Sequence, residues 1–210
     1  MKFKGTTLSI NPSKYDMVID SGYDSFSKNV KINVPEGWTA VVLQGGKSVL
    51  SKKESFALAS YKYSKRDYFG VKFPLFGDVK AKIMFVRHLV NDLVVINDEK
   101  IKIGSSTYTL KANYSYKAEF KHIGKFIAFM DRLKLKPNEK GLIMTVADFS
   151  YVVRTVFPLY LKPGDAGTAF SFTSKNREYQ LFVEDVFKNK LLEPIGWEGK
   201  YMTFSYFKVY

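Results

Sequence analysis

The chain has 210 residues, of which 46% are hydrophobic and 25% are charged, a composition typical of a globular protein. It contains no cysteine, which excludes disulfide bonds, thiolate catalysis and cysteine-ligated zinc. No apolar run reaches the roughly 18 residues of a membrane span, and the start of the chain lacks the apolar core of a signal peptide. We therefore expect a soluble, cytoplasmic protein.

The net charge of +13 is unevenly distributed along the chain. Residues 47–87 contain ten basic and three acidic residues, interleaved with eight aromatic ones. Such a segment could follow a phosphate backbone while its rings stack on bases, or it could bind an anionic membrane surface. Alternatively, the lysines are only solvated and the rings belong to the core. The residues predicted to bind an anionic partner are Lys52, Lys53, Tyr61, Lys62, Tyr63, Lys65, Arg66 and Tyr68.

Strand candidates dominate the first half of the chain, and turn signals separate them at intervals of about ten residues. Residues 35–37, 44–47 and 97–99 have the glycine, proline, asparagine or aspartate content of turns. This spacing predicts an antiparallel sheet or partial barrel up to residue 120. The predicted strands are 6–10, 30–34, 38–43, 56–63, 79–86, 93–96 and 100–103.

The clearest strand is predicted for residues 107–120, where apolar and polar residues alternate. Tyr114 and Tyr116 belong to its apolar face, whereas Ser115 and Lys117 belong to its polar face. Successive side chains of a strand point to opposite faces. The apolar face should therefore be covered by helices, and the polar face should meet either solvent or a partner sheet.

Helical spacing begins directly after this strand. Apolar residues repeat at helical intervals over residues 123–133, 142–156 and 179–191, and Ser174 is a candidate N-cap for the third helix. Pro194 and Gly196 should end that helix. The chain then closes with a strand, in which a slip of the alternation near Phe207 indicates a bulge.

Together these elements predict a single α+β domain over residues 1–210. Residues 1–120 are expected to be β-rich, residues 121–193 helical, and residues 199–210 a closing strand that returns to the sheet. About three helices would cover the antiparallel sheet or partial barrel. We see no boundary at which the chain could be divided into two domains, because the closing strand would then be separated from the sheet with which it pairs.

Residues that could support catalysis are sparse. His88 and His122 each follow a basic residue, and neither has a neighbouring carboxylate that would orient its ring. Asp148 is either a buried carboxylate or part of a wet helix face, and Glu184 and Asp185 could bind a cation only with distant ligands. No glycine-rich phosphate loop, nucleophile elbow or metal-binding histidine pair occurs. We therefore predict a protein that is not an enzyme and that has no cofactor, metal or small-molecule substrate.

Three segments resemble a known family, the stomatin/prohibitin/flotillin (SPFH, band-seven) domains. Residues 34–47 combine a Val-Pro-Glu-Gly turn, an Ala-Val-Val strand and a Gly-Lys turn, which is similar to the opening of such a domain. Residues 111–126 resemble its long strand and the aromatic start of the following helix. Residues 183–209, around Ile195-Gly196-Trp197, resemble its last helix, glycine and strand. The resemblance implies a scaffold that oligomerises at a membrane surface and performs no chemistry.

Three functional classes follow from these observations. We expect a non-catalytic structural or assembly protein that self-associates, such as a cellular scaffold or a viral or phage component. The alternative is a nucleic-acid-binding protein that uses residues 47–87. An enzyme assembled from distant residues would need a pocket that holds Asp148, His88 or His122.

Overall fold

The computed structural model describes residues 2–4, 6–27, 29–58, 78–103, 106–160, 181 and 183–209. The structure is mainly β, with 48% strand and 26% helix, and its described strands form four sheets. The α+β class predicted from the sequence is therefore wrong, because several sheets and short helices replace one sheet under three helices. No helix in the described ranges is long and apolar enough to cross a membrane.

Contacts between residues divide the chain into two compact units. Unit 1 comprises residues 1–88 and 127–145, and unit 2 comprises residues 89–126 and 146–210. The single domain predicted for residues 1–210 stays a prediction.

Unit 1 is built from short strands. These are β1 (Lys2–Lys4), β2 (Thr7–Ser9), β3 (Asp16–Asp20), β4 (Ser25–Phe26), β5 (Lys31–Asn33), β6 (Trp38–Gln44), β7 (Lys47–Lys52), β8 (Phe56–Ala57), β9 (Val79–Lys80), β10 (Lys82–Arg87) and β13 (Leu142–Thr145). They form a four-stranded sheet of order β1-β2-β5-β8, a five-stranded sheet of order β13-β3-β10-β6-β7, and the pair β4-β9.

One apolar cluster joins the two larger sheets of unit 1. Leu8 and Ile32 of the four-stranded sheet share it with Val42, Ile83 and Phe85 of the five-stranded sheet, and all five side chains are buried. Burial of apolar surface contributes about 25 cal/mol per Å². Burial of this cluster therefore stabilises unit 1.

The two predicted turns around β6 are confirmed. The Trp38 amide donates a hydrogen bond to the Pro35 carbonyl oxygen over 3.2 Å, which closes the first turn. Gln44 pairs with Lys47 across the second turn, where Gly45 and Gly46 have φ angles of +57° and +75°. Positive φ at both central residues defines the hairpin turn whose twist matches that of the flanking strands.

The second predicted helix is partly wrong. The structure begins helix α2 at Val146 and ends it at Tyr160, while residues 142–145 form strand β13. Leu142 pairs with Ile19 of β3, so the sheet satisfies the backbone of this segment. The tertiary pairing overrides the helical spacing of the apolar residues.

Unit 2 contains three long antiparallel strands in the order β11-β12-β14: β11 (Leu89–Ile103), β12 (Ser106–Phe120) and β14 (Trp197–Val209). The long strand predicted over residues 107–120 is thus confirmed. The turn predicted at residues 97–99 is wrong, because the chain continues as one strand there. The pairing shifts between Ile96 and Glu99, so one extra residue of β11 is accommodated as a bulge.

The apolar face of β12 is covered, as the sequence predicts. Tyr114 and Tyr116 are fully buried, and the Tyr116 ring centroid lies 5.2 Å from that of Phe187 in an edge-to-face contact. Phe120 lies 5.3 Å from Phe126 and 5.5 Å from Trp197, measured between ring centroids. Aromatic pairs of this kind stabilise a core beyond their area burial.

The helices of the second half agree with the prediction in two places. Helix α1 spans Ile123–Leu133, the range predicted from the sequence. The third helix is described at residue 181 and from residue 183, and its residues Val186–Leu192 form a π-helical segment followed by the 3-10 turn Glu193–Ile195. Its predicted N-cap, Ser174, lies outside the described residues. Gly196 then adopts a φ of +87° and ends the helical region as predicted.

The closing strand β14 starts at Trp197, two residues before the predicted start at residue 199. Its pairing with β12 skips Lys200 and Ser205, each of which is an extra residue in a bulge. The predicted bulge is therefore confirmed, at Ser205 rather than at Phe207. The bulge at Lys200 also places Lys200 and Tyr201 on the same face of the sheet.

Candidate interaction surface

The structure describes only two of the eight residues predicted to bind an anionic partner. Lys52 is the last residue of β7, and Lys53 follows it with its side chain exposed. The Lys53 Nζ atom lies 2.9 Å from the His88 Nε2 atom. The other six residues lie outside the described ranges: Tyr61, Lys62, Tyr63, Lys65, Arg66 and Tyr68.

The side chain of Arg87, a further basic residue of this segment, is held by contacts within unit 1. Its guanidinium lies over the Trp38 ring at 5.1 Å and donates hydrogen bonds to the Asp16 and Ser13 carbonyl oxygens over 2.7 and 2.8 Å. Partial burial lowers the pKa of Arg87, and the Asp16 carboxylate opposes that effect. These contacts stabilise unit 1, and they occupy the guanidinium of Arg87, which is therefore not available to a partner.

Two other described basic residues, Lys82 and Lys47, lie towards the opposite end of the same sheet, whereas Lys80 lies in the separate pair β4-β9. Lys82 pairs with Leu43 and forms an ion pair with Asp24 at 3.4 Å, and Lys47 pairs with Gln44. Lys52 pairs with Ala40, so it lies about 10 Å from the level of Lys82 and about 14 Å from that of Lys47, at about 3.4 Å per residue. The described basic residues of the segment are therefore spread along the strands rather than gathered at one point.

A second surface was not singled out by the sequence. The sheet of unit 2 has one face covered by α2 and the π-helical segment, and its other face carries no helix in the described ranges. We call this second side the open face. Its described residues are Leu89, Asn91, Leu93 and Val95 of β11; Lys111, Asn113, Ser115, Lys117 and Glu119 of β12; and Glu198, Lys200, Tyr201 and Thr203 of β14.

The open face exposes an unusual amount of apolar surface along β11. Leu93 is 60% exposed, and Leu89 and Val95 are each 38% exposed. Across the sheet Tyr201 is 41% exposed, and its hydroxyl donates a hydrogen bond to the Asn91 side-chain oxygen over 3.2 Å. A row of exposed apolar side chains on one face, rather than scattered single ones, is typical of a contact surface.

One end of the open face carries a closed set of ion pairs, which we call the ion-pair ring. Glu119 and Glu198 are directly opposite one another, an arrangement that alone would be repulsive. Lys200 contacts both carboxylates at 2.8 Å, and Lys121 contacts them at 3.2 and 3.5 Å. The ring is neutral because it contains two lysines and two glutamates.

The ion-pair ring shifts the pKa values of Glu119, Glu198 and Lys200. The hydrogen bond from Lys200, with help from Lys121, lowers the pKa of Glu119 to about 2. The same lysines lower the pKa of Glu198, and the hydrogen bond to Glu119 raises the pKa of Lys200. Glu119 is the better shielded acid, since its side chain is 15% exposed against 48% for Glu198. Glu119, Glu198 and Lys200 are therefore charged at neutral pH.

The residues considered for catalysis belong to different elements of the chain. Asp148 is exposed in the first turn of α2. This favours the interpretation that it belongs to a solvent-exposed helix face rather than being a buried carboxylate. Glu184 forms an ion pair with Lys188 at 2.6 Å, and Asp185 accepts a hydrogen bond from Asn189. Within the described ranges no group of three or more histidine or acidic side chains could hold a metal ion.

His122 lines a cleft of about 460 Å³ next to the π-helical segment. The cleft also contains Lys188 and Glu193, which are held by ion pairs to Glu184 and Lys125, respectively. π-Helical turns often occur at functional sites. However, Lys121, Lys188, Glu193 and Glu198 of this cleft all have ion-pair partners, so they offer no unbalanced charge to a ligand.

No protein-family model matches the chain, and no curated protein matches it significantly. The SPFH resemblance therefore stays a resemblance in short segments, and the function has to be argued from the surfaces above.

Proposed function

We propose that this chain is a non-catalytic assembly protein that self-associates. The observation that carries the proposal is the open face of unit 2, where the apolar side chains of Leu89, Leu93 and Val95 lie exposed beside a neutral ion-pair ring. A surface that is apolar in one part and polar with satisfied partners in another has the composition of a protein–protein interface.

Two further points support this class over a catalytic one. Asp148 lies exposed on a helix surface, and Glu184 is tied to Lys188 by an ion pair. The SPFH resemblance of residues 34–47, 111–126 and 183–209 implies the same kind of role, a scaffold built from copies of one domain.

The alternative, binding of nucleic acid or an anionic membrane through residues 47–87, has less support from the described residues. Arg87 is held by backbone carbonyls, and the described lysines are spread along the sheet, with Lys82 about 10 Å and Lys47 about 14 Å from Lys52 along the strands. No specific observation favours this alternative, so it is kept as an outcome to be tested.

Sedimentation velocity of the purified chain, over about a hundredfold range of concentration, tests the proposal. We expect the weight-average sedimentation coefficient to rise with concentration, as it does for a reversible oligomer. A coefficient that stays at the monomer value throughout would overturn the proposal.

A further inference from the structure

We propose that residues 131–140 of unit 1 bind the surface of an anionic lipid membrane. They comprise the last three residues of α1 and the loop that leads to β13, and we call them the Leu-Lys loop. The inference does not depend on self-association, and it concerns a site outside residues 47–87. Nucleic acid is the competing partner that the experiments have to exclude.

The Leu-Lys loop is the longest run of consecutive exposed residues in the described parts of the chain. Met130 before it and Gly141 after it are both buried. Within the loop the side chains of Leu133 and Leu135 are 40% and 39% exposed. Removal of this apolar surface from water is favourable, so the two leucines are suited to a partner with an apolar interior.

The loop also has an excess of positive charge. Its charged residues are the basic Arg132, Lys134, Lys136 and Lys140 and the acidic Asp131 and Glu139. Arg132 donates one hydrogen bond, from Nε to the Ala128 carbonyl oxygen over 3.2 Å. Among the described residues no ion pair involves any of the six, whereas Lys121 and Lys200 are held in the ion-pair ring. The charge of the loop is therefore available to an anionic partner.

The backbone holds the loop in a defined shape. The Lys134 amide donates a hydrogen bond to the Asp131 carbonyl oxygen over 3.1 Å, and the Asn138 side-chain oxygen accepts hydrogen bonds from the Lys140 and Leu142 amides. Lys134 has a φ of +52°, the only positive φ of a non-glycine residue in the described ranges. Glycine would suit this position better, since a side chain is strained there. A lysine at a strained position favours a role for its charge outside the fold.

The combination of leucines with basic residues favours a lipid surface over nucleic acid. Residues 132–136 alternate between basic residues and leucine, and the loop contains no aromatic residue. Proteins that bind single-stranded nucleic acid combine basic residues with aromatic rings, which stack on the bases, and leucine cannot replace them. At an anionic membrane the basic residues meet the headgroups, and the leucines enter the boundary with the acyl chains.

Leucine variants test the apolar part of the inference. The measurement is co-sedimentation with vesicles that contain phosphatidylserine and phosphatidylcholine in equal amounts. We expect Leu133→Ser combined with Leu135→Ser to weaken vesicle binding at least about tenfold and to leave binding of a DNA oligonucleotide unchanged. The control is Leu181→Ser, because Leu181 is 56% exposed on the third helix, and it should bind vesicles like the unmodified chain.

Two results of this experiment would contradict the inference. One is the absence of vesicle binding by the unmodified chain. The other is equal vesicle binding by the unmodified chain and the double leucine variant. Vesicles of phosphatidylcholine alone should bind the unmodified chain at least about tenfold more weakly, since they lack the anionic headgroup.

Charge reversal tests the basic part. One variant carries glutamate at the four basic residues of the loop, and its control carries glutamate at Lys52, Lys53, Lys65 and Arg66. Both changes lower the net charge from +13 to +5, so the two variants differ only in where the charge lies. We expect the loop variant to bind the phosphatidylserine vesicles at least about tenfold more weakly than the control, because each basic residue near the surface contributes about fivefold. Equal or stronger vesicle binding by the loop variant would overturn the inference.

A single substitution separates binding from stability. Lys134→Gly relieves the strained φ, so the free energy of unfolding should rise or stay constant, while vesicle binding should weaken about fivefold. The control Lys31→Gln removes the same charge from an exposed lysine of β5, and its vesicle binding should stay within about twofold of the unmodified chain. Equal vesicle binding by the two lysine variants would count against a membrane contact at Lys134 and so against the inference.

The absence of cysteine allows the contact to be observed directly. Leu135→Cys, labelled with an environment-sensitive fluorophore, should shift its emission to shorter wavelengths when phosphatidylserine vesicles are added, because the label enters the apolar boundary. The same label on Leu181→Cys should not shift. A shift with a DNA oligonucleotide and none with vesicles would assign the loop to nucleic acid and would refute the proposed membrane contact.

Discussion

The Ser150 hydroxyl of α2 donates a hydrogen bond to the Asp92 carboxylate of β11, 58 residues earlier in the chain. The same hydroxyl oxygen lies 3.0 Å from the Tyr116 hydroxyl of β12. One helix side chain thus connects two strands on the covered face. Burial raises the pKa of Tyr116, so its hydroxyl stays protonated at neutral pH and can donate a hydrogen bond.

Removal of this hydroxyl should destabilise unit 2. Ser150→Ala leaves the buried Tyr116 hydroxyl without its partner, which typically costs about 1–3 kcal/mol. Chemical denaturation would measure the loss in the free energy of unfolding. The control Thr155→Ala changes an exposed hydroxyl of the same helix and should alter stability by less than about 0.5 kcal/mol. Equal effects of the two substitutions would show that the contact contributes nothing.

The contact between α2 and β11 shows where sequence reasoning reaches its limit. Alternation over residues 107–120 and helical spacing over residues 123–133 predicted β12 and α1, because each pattern is local and long. The covering of Tyr116 by Phe187 also followed, since an apolar strand face needs a partner. Ser150 and Asp92, however, are ordinary polar residues, and only the tertiary pairing brings them together.

The same limit explains the two errors in secondary structure and the missed surface. Residues 142–145 form a strand because β3 pairs with them, and residues 97–99 stay in β11 because β12 continues to pair on both sides of the bulge. The strand predicted from the sequence starts at Leu93, so that prediction does not place Leu89 beside Leu93 and Val95. The alternation of Leu89, Asn91, Leu93 and Val95 with buried Val90 and Val94 was the available signal.

Gly196 is a position where only glycine fits. Its φ is +87°, and an added Cβ atom would overlap the His122 carbonyl oxygen and press on the Phe126 backbone. The Lys121 and His122 amides also donate hydrogen bonds to the Gly196 carbonyl oxygen over 3.1 and 3.0 Å. We expect Gly196→Ala to lower the free energy of unfolding by at least about 1–3 kcal/mol.

Gly124 provides the matched control for this substitution. It lies in the first turn of α1, and an added Cβ atom would meet nothing within 4 Å. Gly124→Ala should raise stability by about 0.5–1 kcal/mol, because alanine favours the helix and restricts the unfolded chain. Thermal or chemical unfolding of the two variants should therefore shift in opposite directions. A loss of stability in both would contradict the explanation.

The ion-pair ring should make stability depend on pH in the acid range. The pKa of Glu119 is about 2 in the folded chain, below the value of about 4.3 for an unfolded glutamate. Its contribution to stability is therefore complete above about pH 4.3 and is lost as the pH falls towards 2. We expect Glu119→Gln to destabilise the chain near neutral pH and to differ less from the unmodified chain at about pH 3.

Glu139→Gln serves as the control for that pH dependence. Glu139 is an exposed carboxylate in the loop before β13, so its replacement should have a small effect at either pH. Denaturant unfolding at both pH values gives the comparison. A stability difference for Glu119→Gln that is the same at both pH values would rule out the ionised ring as its cause.

Salt should distinguish self-association from binding of an anionic partner. Two copies with a charge of +13 repel each other, and screening shortens the reach of this repulsion from about 30 Å at 0.01 M salt to about 8 Å at 0.15 M. Self-association through the open face should therefore stay constant or strengthen as salt rises. Binding to a nucleic acid should weaken steeply instead, because it releases counterions. Sedimentation and fluorescence anisotropy at both salt concentrations would measure the two trends.

Charge reversal in the predicted anion-binding segment separates the two functions further. Replacement of Lys52, Lys53, Lys65 and Arg66 by glutamate removes four positive charges and adds four negative ones, which lowers the net charge from +13 to +5. If this segment binds DNA or anionic vesicles, such binding should be abolished while the fold remains intact. Self-association should persist or strengthen, because the copies repel each other less. Loss of self-association in this variant would locate the interface in the basic segment rather than on the open face.

The matched control reverses four basic residues elsewhere in unit 1, namely Arg132, Lys134, Lys136 and Lys140, all of which are exposed. It has the same net charge of +5, so any general effect of charge on anion binding should be equal in the two variants. Stronger loss of DNA or vesicle binding in the first variant would assign that binding to the Lys52–Arg66 residues. Equal loss would show that only the overall positive charge attracts the anion, and that residues 47–87 form no specific site.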